Sequence, residues 1–380
     1  SANGTENSWD FSTNGAGFAS AKPFSSKAPS MFVARGVVFD EVTTVVDEPH
    51  GVALRYRLYK TERHANLHTS AGPLDVLGGR NQDVILRLET DIKSGDEFYT
   101  DSNGLEFVRR VRDRRPWQVG PWTDFYDQFA EPVASNYYPV TLGSVLPTAD
   151  GPGPVLAVLP VASLMGAASL APGSVEFMVN RAVLHGSADD PTSCNNSTGN
   201  QLITQHLILM LQPVADNAAA SISAEARPVA TRVANPVVLF ARERQGGSMG
   251  HEVPGLSLPL PPQLELLTLQ MLPPDMNITM EPQDGEQSPP VESSVVLLRV
   301  RHIFAAGDGG EGRDLGKPVS FDLAGAFRPF FEVTTAVELT IDGLQTLDES
   351  SHARLQWVQG RPSVDAATTD AGTRRASSPP

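Results

Sequence analysis

The sequence predicts an all-β protein: a large antiparallel β-sandwich followed by a smaller β-sandwich domain. Three observations predict it. Glycine (32) and proline (31) are both abundant among the 380 residues and interrupt the chain at short intervals. Between them Val, Leu and Thr recur in short runs that alternate with polar residues, the period-2 pattern of a half-buried strand. Long Ala- or Leu-rich stretches with acid and base spaced four apart, the mark of an α/β protein, are hard to find.

Taken in order, residues 1–30 are rich in Ser, Gly, Asn and Ala and read as a flexible lead-in. The large sandwich is expected over 31–280. Its first clear strand is Val52 to Leu58, where Val52, Leu54, Tyr56 and Leu58 share one face and Arg55 and Arg57 the other. Val84 to Glu89 repeats the pattern. Phe98 to Phe107 reads as a hairpin, because Asn103-Gly104 tolerates the positive φ that a tight turn requires. Further strands are expected at Val175–Asn180, Leu202–Leu211, Pro236–Arg242 and Leu264–Met271. The Pro-rich stretch 281–294 reads as a linker or long surface loop. A smaller β domain is expected over 295–360, with strands at Val295–Phe304, Val319–Leu323 and Phe331–Thr340. From 361 to 380 the composition gives little to bury, which predicts a disordered tail.

An apolar fraction of 40% supplies two or three cores, at about 150 residues per domain. The net charge of −15 and a pI near 4.9 argue against nucleic acid, whose phosphates need a basic face. No run of about 18 apolar residues offers a membrane span. The single cysteine, Cys194, excludes a disulfide within the chain. The polar start, Ser1 to Phe18, has no signal-peptide pattern and no initiator Met, so a processed product or a piece of something longer is expected.

Four segments carry a resemblance. Tyr99-Thr-Asp-Ser-Asn-Gly104 is followed by Glu131-Pro-Val-Ala-Ser-Asn136-Tyr137-Tyr138-Pro139-Val140. Then come Ser169-Leu170-Ala-Pro-Gly173-Ser174-Val-Glu-Phe-Met178-Val179-Asn180-Arg181 and Leu297-Leu-Arg-Val-Arg-His302-Ile-Phe-Ala305, the last with Asp314-Leu-Gly-Lys-Pro318-Val319 behind it. Their order and spacing resemble those of the family 38 glycoside hydrolases, the class II α-mannosidases, over roughly residues 50–357. The fourth segment and Leu355-Gln356-Trp357 are similar to the lysosomal subgroup. The chain departs from the family at Gly166-Ala-Ala-Ser-Leu170, where Gly-Gly-Ser-Ser-Leu is usual, at Arg181-Ala182, where Arg-Arg is usual, and in a Trp-rich insertion from Trp117 to Phe129.

The resemblance implies the β-rich C-terminal part of a retaining enzyme that hydrolyses α-linked mannose from N-glycan oligosaccharides with two carboxylates. It implies a Zn²⁺ ion bound by the N-terminal domain and none bound by this chain. It implies a lysosomal or other acidic endomembrane location, with secretion as a variant. The partners it implies are an N-terminal catalytic chain or domain of the same precursor and a mannose oligosaccharide, with an oligomer open. No residue here matches the family's nucleophile, acid or zinc ligands. Arg181 matches the arginine at the rim of the sugar pocket, where a fork of donors suits sugar hydroxyls; a strand arginine in a surface ion pair is the alternative. The Asp101–Gly104 turn could face the catalytic domain or serve hairpin geometry alone. Tyr137 and Tyr138 could stack on sugar, although ring burial is favoured. A free-standing carbohydrate-binding or structural module, or part of an inactive homologue, stays open as a second reading.

Other candidates are weaker. His64 and His68 have metal-ligand spacing for a helix but lie in a strand-like pattern with no supporting cluster. Asp40 with Glu41, and Asp189 with Asp190, are adjacent carboxylates that point apart on a strand. Glycosylation triplets stand at Asn3, Asn195, Asn196 and Asn277.

Overall fold

Residue alternation organises the chain into strands that pair antiparallel in two facing sheets. The computed structural model describes residues 28–46, 52–73, 82–114, 133–149, 151–162, 164–182, 202–214, 218–236, 238, 255–273, 294–309 and 314–353. The strands are β1 (Ser30–Arg35), β2 (Phe39–Val46), β3 (Val52–Tyr59), β4 (Ala65–Ala71), β5 (Gln82–Glu89), β6 (Glu97–Ser102), β7 (Glu106–Val111) and β8 (Tyr138–Val140). They continue with β9 (Ser144–Leu146), β10 (Gly153–Pro160), β11 (Leu164–Ala168), β12 (Ser174–Ala182), β13 (Ile203–Val214), β14 (Leu264–Met271) and β15 (Val296–His302).

A nine-stranded sheet runs in the order β1-β2-β3-β4-β13-β10-β9-β6-β7, and a four-stranded sheet in the order β5-β12-β11-β8. The two share one core. Leu67 and Ala71 of β4, Phe98 of β6, Leu156 and Val158 of β10 and Leu207 of β13 meet Val84 and Leu86 of β5, Val140 of β8, Ala167 of β11 and Val175 and Phe177 of β12. Each fully buried Val, Leu or Phe among them contributes about 1.5–3 kcal/mol of transfer free energy. The expected all-β class therefore stands, and the sandwich is built from the strands read by alternation.

The outer face of the larger sheet is covered by a helix that the composition did not suggest. Helix α1 (Ala218–Ala234) runs for 17 residues. Its Ile222, Ala226, Val229 and Ala230 pack on Val145, Val155, Ala157, Leu159, Ile208 and Met210, the residues of β9, β10 and β13 that point away from the inter-sheet core. The spacing of 222, 226, 229 and 230 is that of one helix face. Pro228 inside it and the lack of acid–base pairs disguise the pattern.

Three other expectations are corrected. Val319–Leu323 is not a strand; the segment is irregular and Leu323 opens the short helix α2 (Leu323–Phe327). Phe331–Thr340 is β-like in composition but stays irregular, apart from one bridge between Leu339 and Thr346. Its residues 334–338 are exposed, so no neighbour supplies the packing on which strand propensity depends. Pro236 and Val238 lie outside any strand, and the rest of Pro236–Arg242 is outside the described residues.

The chain divides into two units, one of residues 1–253, 259–270 and 296–322, the other of 254–258, 271–295 and 323–380. In the first, β14 and β15 pair as a two-stranded sheet. In the second, Phe327 is buried and stacks on Phe331 with ring centroids 5.7 Å apart. There too helix α3 (Leu347–Ala353) starts on a capping box: Thr346 Oγ1 accepts from Glu349 N at 3.2 Å and Glu349 Oε2 accepts from Thr346 N at 2.8 Å.

Candidate functional site

The tip of the β6–β7 hairpin is the natural starting point. Asn103 (φ 51°) and Gly104 (φ 71°) both sit in the left-handed region, and Leu105 N closes the turn on Ser102 O at 3.0 Å, so three residues, 103–105, connect the paired Ser102 and Glu106. Asp101, buried at the end of β6, holds the turn and its neighbour. Its Oδ2 accepts from Gly104 N at 2.8 Å. Its Oδ1 accepts from the backbone N–H groups of Thr141, Leu142 and Gly143 at 2.8, 2.7 and 3.0 Å. The carboxylate thus ties the hairpin to the bend between β8 and β9. Both carboxylate oxygens are engaged, Oδ2 by the turn and Oδ1 by the bend.

The Asn-Tyr-Tyr-Pro segment is stitched into the same region. Asn136 Nδ2 donates to Asp113 Oδ1 at 2.8 Å, and Asp113 N donates back to Asn136 Oδ1 at 2.9 Å, closing the far end of the hairpin. Tyr138 lays its ring edge-on to Phe98 at 5.9 Å, and the Arg110 guanidinium lies 4.4 Å from the Tyr138 ring centre. Tyr137 turns to the four-stranded sheet. Its hydroxyl donates to Glu176 Oε1 at 2.5 Å. Burial above all, then the neighbouring Glu176 charge, pushes the Tyr137 phenol well above its ordinary range.

Glu176 is the centre of the third segment. It is 3% exposed, and its Oε2 accepts from Arg87 Nε and Nη2 at 2.8 and 2.6 Å. Glu176 belongs to β12 and Arg87 to its register partner on β5. The strand alternates as expected: Val175 and Phe177 enter the inter-sheet core, and Glu176 takes the opposite face. A bulge between Met178 and Asn180 then resets the alternation. Asn180 pairs with Val84 and donates through Nδ2 to Ala71 O at 3.1 Å, while position 181 falls opposite Asp83. Because Ile85 pairs with Met178 and Asp83 with Arg181, the bulge puts position 181 in the row of Glu176 and Met178 rather than that of Val175 and Phe177. Gly173, which starts the strand, has φ 73°, and a Cβ there would stand 2.5 Å from Thr90 O.

The fourth segment meets the hairpin from its other side. Arg227 of α1 pairs through Nε with Asp308 Oδ2 at 2.7 Å and donates through Nη1 to Leu105 O. Arg301 of β15 bonds Glu265 of β14. His302 sits between the carbonyl oxygens of Phe304 and Lys317, at 3.0 Å from Nδ1 and 3.1 Å from Nε2.

The weaker candidates fall elsewhere. His64 pairs with Glu62 at 3.0 Å just before β4. His68 stacks on His206 of β13 with ring centroids 4.0 Å apart, and His206 Nε2 lies 2.9 Å from Asn66 Oδ1. Burial foremost, then the charges of His68, Arg57 and His64, depresses His206 to about 4. Burial foremost, then Arg57 and Arg55, also lowers His68. Asp40 is taken by Lys60 and Glu41 by Arg57. Among the described residues no three His, Cys, Asp or Glu side chains come together as metal ligands. Asn3, Asn195, Asn196, Asn277, Cys194, Asp189, Asp190 and Leu355–Trp357 lie outside the described residues, as does the side chain of Arg181.

The chemistry this arrangement can perform is positional. Glu176 and Asp101, the buried carboxylates at its centre, are engaged by a guanidinium, a phenol and four backbone N–H groups. Sequence reasoning passed over Glu176, Arg87 and Arg227. For the first two, the available signal was opposite charge at the polar positions of two core strands.

Residues 1–192 match the family described as "Glycosyl hydrolases family 38 C-terminal domain". Lysosomal alpha-mannosidase of Bos taurus is 34% identical over 304 residues, covering 79% of this chain and 27% of that protein. The Homo sapiens protein of the same name gives 34% over 304 residues with the same coverage. An alpha-mannosidase of Arabidopsis thaliana is 28% identical over 358 residues, 88% of this chain and 30% of that one. The chain thus spans between a quarter and a third of the length of these relatives. Among solved structures, a GH36 alpha-galactosidase of Geobacillus stearothermophilus gives a TM-score of 0.27 at 10% identity, over 55% of this chain and 28% of that one, too slight a likeness to carry an argument.

Proposed function

This chain belongs to the glycosyl hydrolases family 38 C-terminal domain family, and we propose that it is the non-catalytic C-terminal part of a retaining α-mannosidase. In this reading an upstream part of the same precursor supplies the nucleophile, the acid and the bound Zn²⁺. No described group of side chains in this chain fits that metal. The β-sandwich stabilises the upstream part and shapes one edge of its pocket. The substrate is α-linked mannose on N-glycan-derived oligosaccharides, cleaved in a lysosome or comparable acidic compartment, in keeping with relatives that are named lysosomal alpha-mannosidases.

The observation that carries this reading is that the buried carboxylates of two shared segments hold strands together: Glu176 binds Tyr137 of a third shared segment and Arg87 of β5, and Asp101 binds the bend that follows β8. Such bracing suits a scaffold that presents a residue at a fixed place. Arg181, five positions beyond Glu176 on β12, is the residue proposed to reach the sugar. In the assembled enzyme Arg181→Ala is expected to lower turnover of an aryl α-mannoside without lowering the thermal midpoint. Unchanged kinetics would reduce Arg181 to a structural role.

The wider reading is tested on purified native material by mass spectrometry under denaturing conditions, together with zinc analysis. A polypeptide of upstream origin is expected beside or continuous with this chain, carrying the zinc. If this chain by itself cleaves the aryl α-mannoside, the catalytic groups lie here and the reading is wrong.

A further inference from the structure

On β5, Val84 and Leu86 enter the inter-sheet core, so Asp83, Ile85 and Arg87 point the other way. On β12 the facing row holds Glu176 opposite Arg87, Met178 opposite Ile85 and position 181 opposite Asp83. Asp83 is 2% exposed, as far from water as Glu176 at 3%. A buried carboxylate is tolerated where a counter-charge meets it. Glu176 has Arg87, its register partner. In the equivalent place for Asp83 the register sets Arg181. Directly opposed residues of an antiparallel pair have Cβ atoms about 4.5–5.5 Å apart, within the reach of an aspartate and an arginine.

The bulge creates that opposition. The two strands pair in step from Ser174 to Met178, and the register then shifts by one residue. Had the step continued, Asn180 would oppose Asp83, and position 181 would fall on the row of Val175 and Phe177, which enters the core. Instead Asn180 opposes Val84 and donates to Ala71 O, and the arginine comes opposite the carboxylate. A bulge breaks a ladder, and such breaks recur where a side chain is re-aimed beside a site. The Asp83 charge is felt on this face: burial first, then Glu176, raises the Tyr137 phenol, and Asp83 adds to the rise. We infer that Asp83 is a positioning residue, the cross-strand counter-charge that sets where the Arg181 guanidinium stands relative to the sugar. The inference rests on the reading of Arg181 as the residue that reaches the sugar. A guanidinium is a rigid fork of donors, so a carboxylate on one edge fixes the direction in which the other edge meets hydroxyls. Asp83 acts through Arg181 and not on the substrate.

The test is a kinetic cycle in the assembled enzyme with an aryl α-mannoside: Asp83→Asn, Arg181→Ala and the double variant, with kcat and KM read separately. Asp83→Asn keeps the shape and removes the charge, and should lower kcat/KM about tenfold. The loss should fall in the same parameter, kcat or KM, as that of Arg181→Ala, and the double variant should be no slower than Arg181→Ala. Asp83→Glu, which restores the carboxylate, should regain part of the loss. A crystal structure of the unmodified enzyme, which depends on no variant's folding, should put an Asp83 carboxylate oxygen within about 4 Å of an Arg181 guanidinium nitrogen. Losses that multiply in the double variant, normal kinetics in Asp83→Asn beside an impaired Arg181→Ala, or a wider separation in the crystal would overturn the inference alone. Normal kinetics in Arg181→Ala would overturn the reading beneath it, and the inference with it.

Discussion

Arg87 and Glu176, 89 residues apart in sequence, meet as register partners on β5 and β12, with both Arg87 Nε and Nη2 donating to one carboxylate oxygen. Tyr137 takes the other oxygen, so three elements converge on one buried carboxylate. The pairing explains how a strand can carry a charge on its outward row and still be buried on both faces: the Glu176 carboxylate is paired, and its remaining lone pairs face donors.

Removing that carboxylate strands its donors. Glu176→Ala is expected to lower unfolding free energy by about 2–4 kcal/mol, at the lower end because the Arg87 side chain keeps some solvent contact. Tyr137→Phe should cost about 1 kcal/mol. In the double variant the losses should fall short of their sum, because both act on one carboxylate. Denaturant melts of the three variants give the coupling, and strict additivity would mean that Tyr137 and Glu176 do not act together.

Asp101 is expected to be harder to replace than its place beside a surface turn suggests. Asp101→Ala leaves four backbone donors without their acceptor and should cost about 2–4 kcal/mol. Asp101→Asn keeps one acceptor oxygen and should lose about half as much. Hydrogen exchange at Thr141, Leu142 and Gly143 locates the damage: these amides should lose protection in both variants, most in Asp101→Ala.

Acid should weaken the fold through His206. Its ordinary value is 6.5 and the folded value about 4, so as pH falls the unfolded chain takes up the proton first. The stability His206 contributes is complete above about pH 6.5 and drains away towards pH 4. For a ring that keeps some solvent contact the loss is about 1–2 kcal/mol. His206→Gln should flatten the fall in melting midpoint between pH 7 and 4.5. An unchanged slope would show that His206 does not govern acid sensitivity in this range.

Helix α1 contains a residue that opposes it. Pro228 lacks the N–H that would bond one turn back, and it lies at the eleventh position of the 17-residue helix. Pro228→Ala should raise stability by about 1–3 kcal/mol with the packing of Ile222, Ala226 and Val229 kept. A rise in thermal midpoint checks this; a fall would mean that the proline ring itself fills space on the sheet.

Much of the fold is legible in the chain. Val52 to Leu58 alternates, and the structure makes it β3; Asn103-Gly104 demands positive φ, and the backbone has it. These features depend on residues one to four positions apart. Helix α1 was legible in principle, since 222, 226, 229 and 230 fall on one face, yet Ala and Val at those positions carry little signal and Pro228 argues against it. Phe331–Thr340 shows the converse: β-branched residues invite a strand, but residues 334–338 are exposed and, among the described residues, pairing stops at the Leu339–Thr346 bridge.

By itself, then, the sequence determined the all-β class, the hairpin and the order of shared segments, because period-2 alternation and turn chemistry are written locally. Tertiary structure decided which polar residues matter. Arg87 finds Glu176 across 89 residues, and Arg227 finds Leu105 across 122. The bulge after Met178 decides the row on which position 181 falls. No local rule contains these outcomes, since a buried charge is tolerated only where folding brings its counter-charge and donors to the same place.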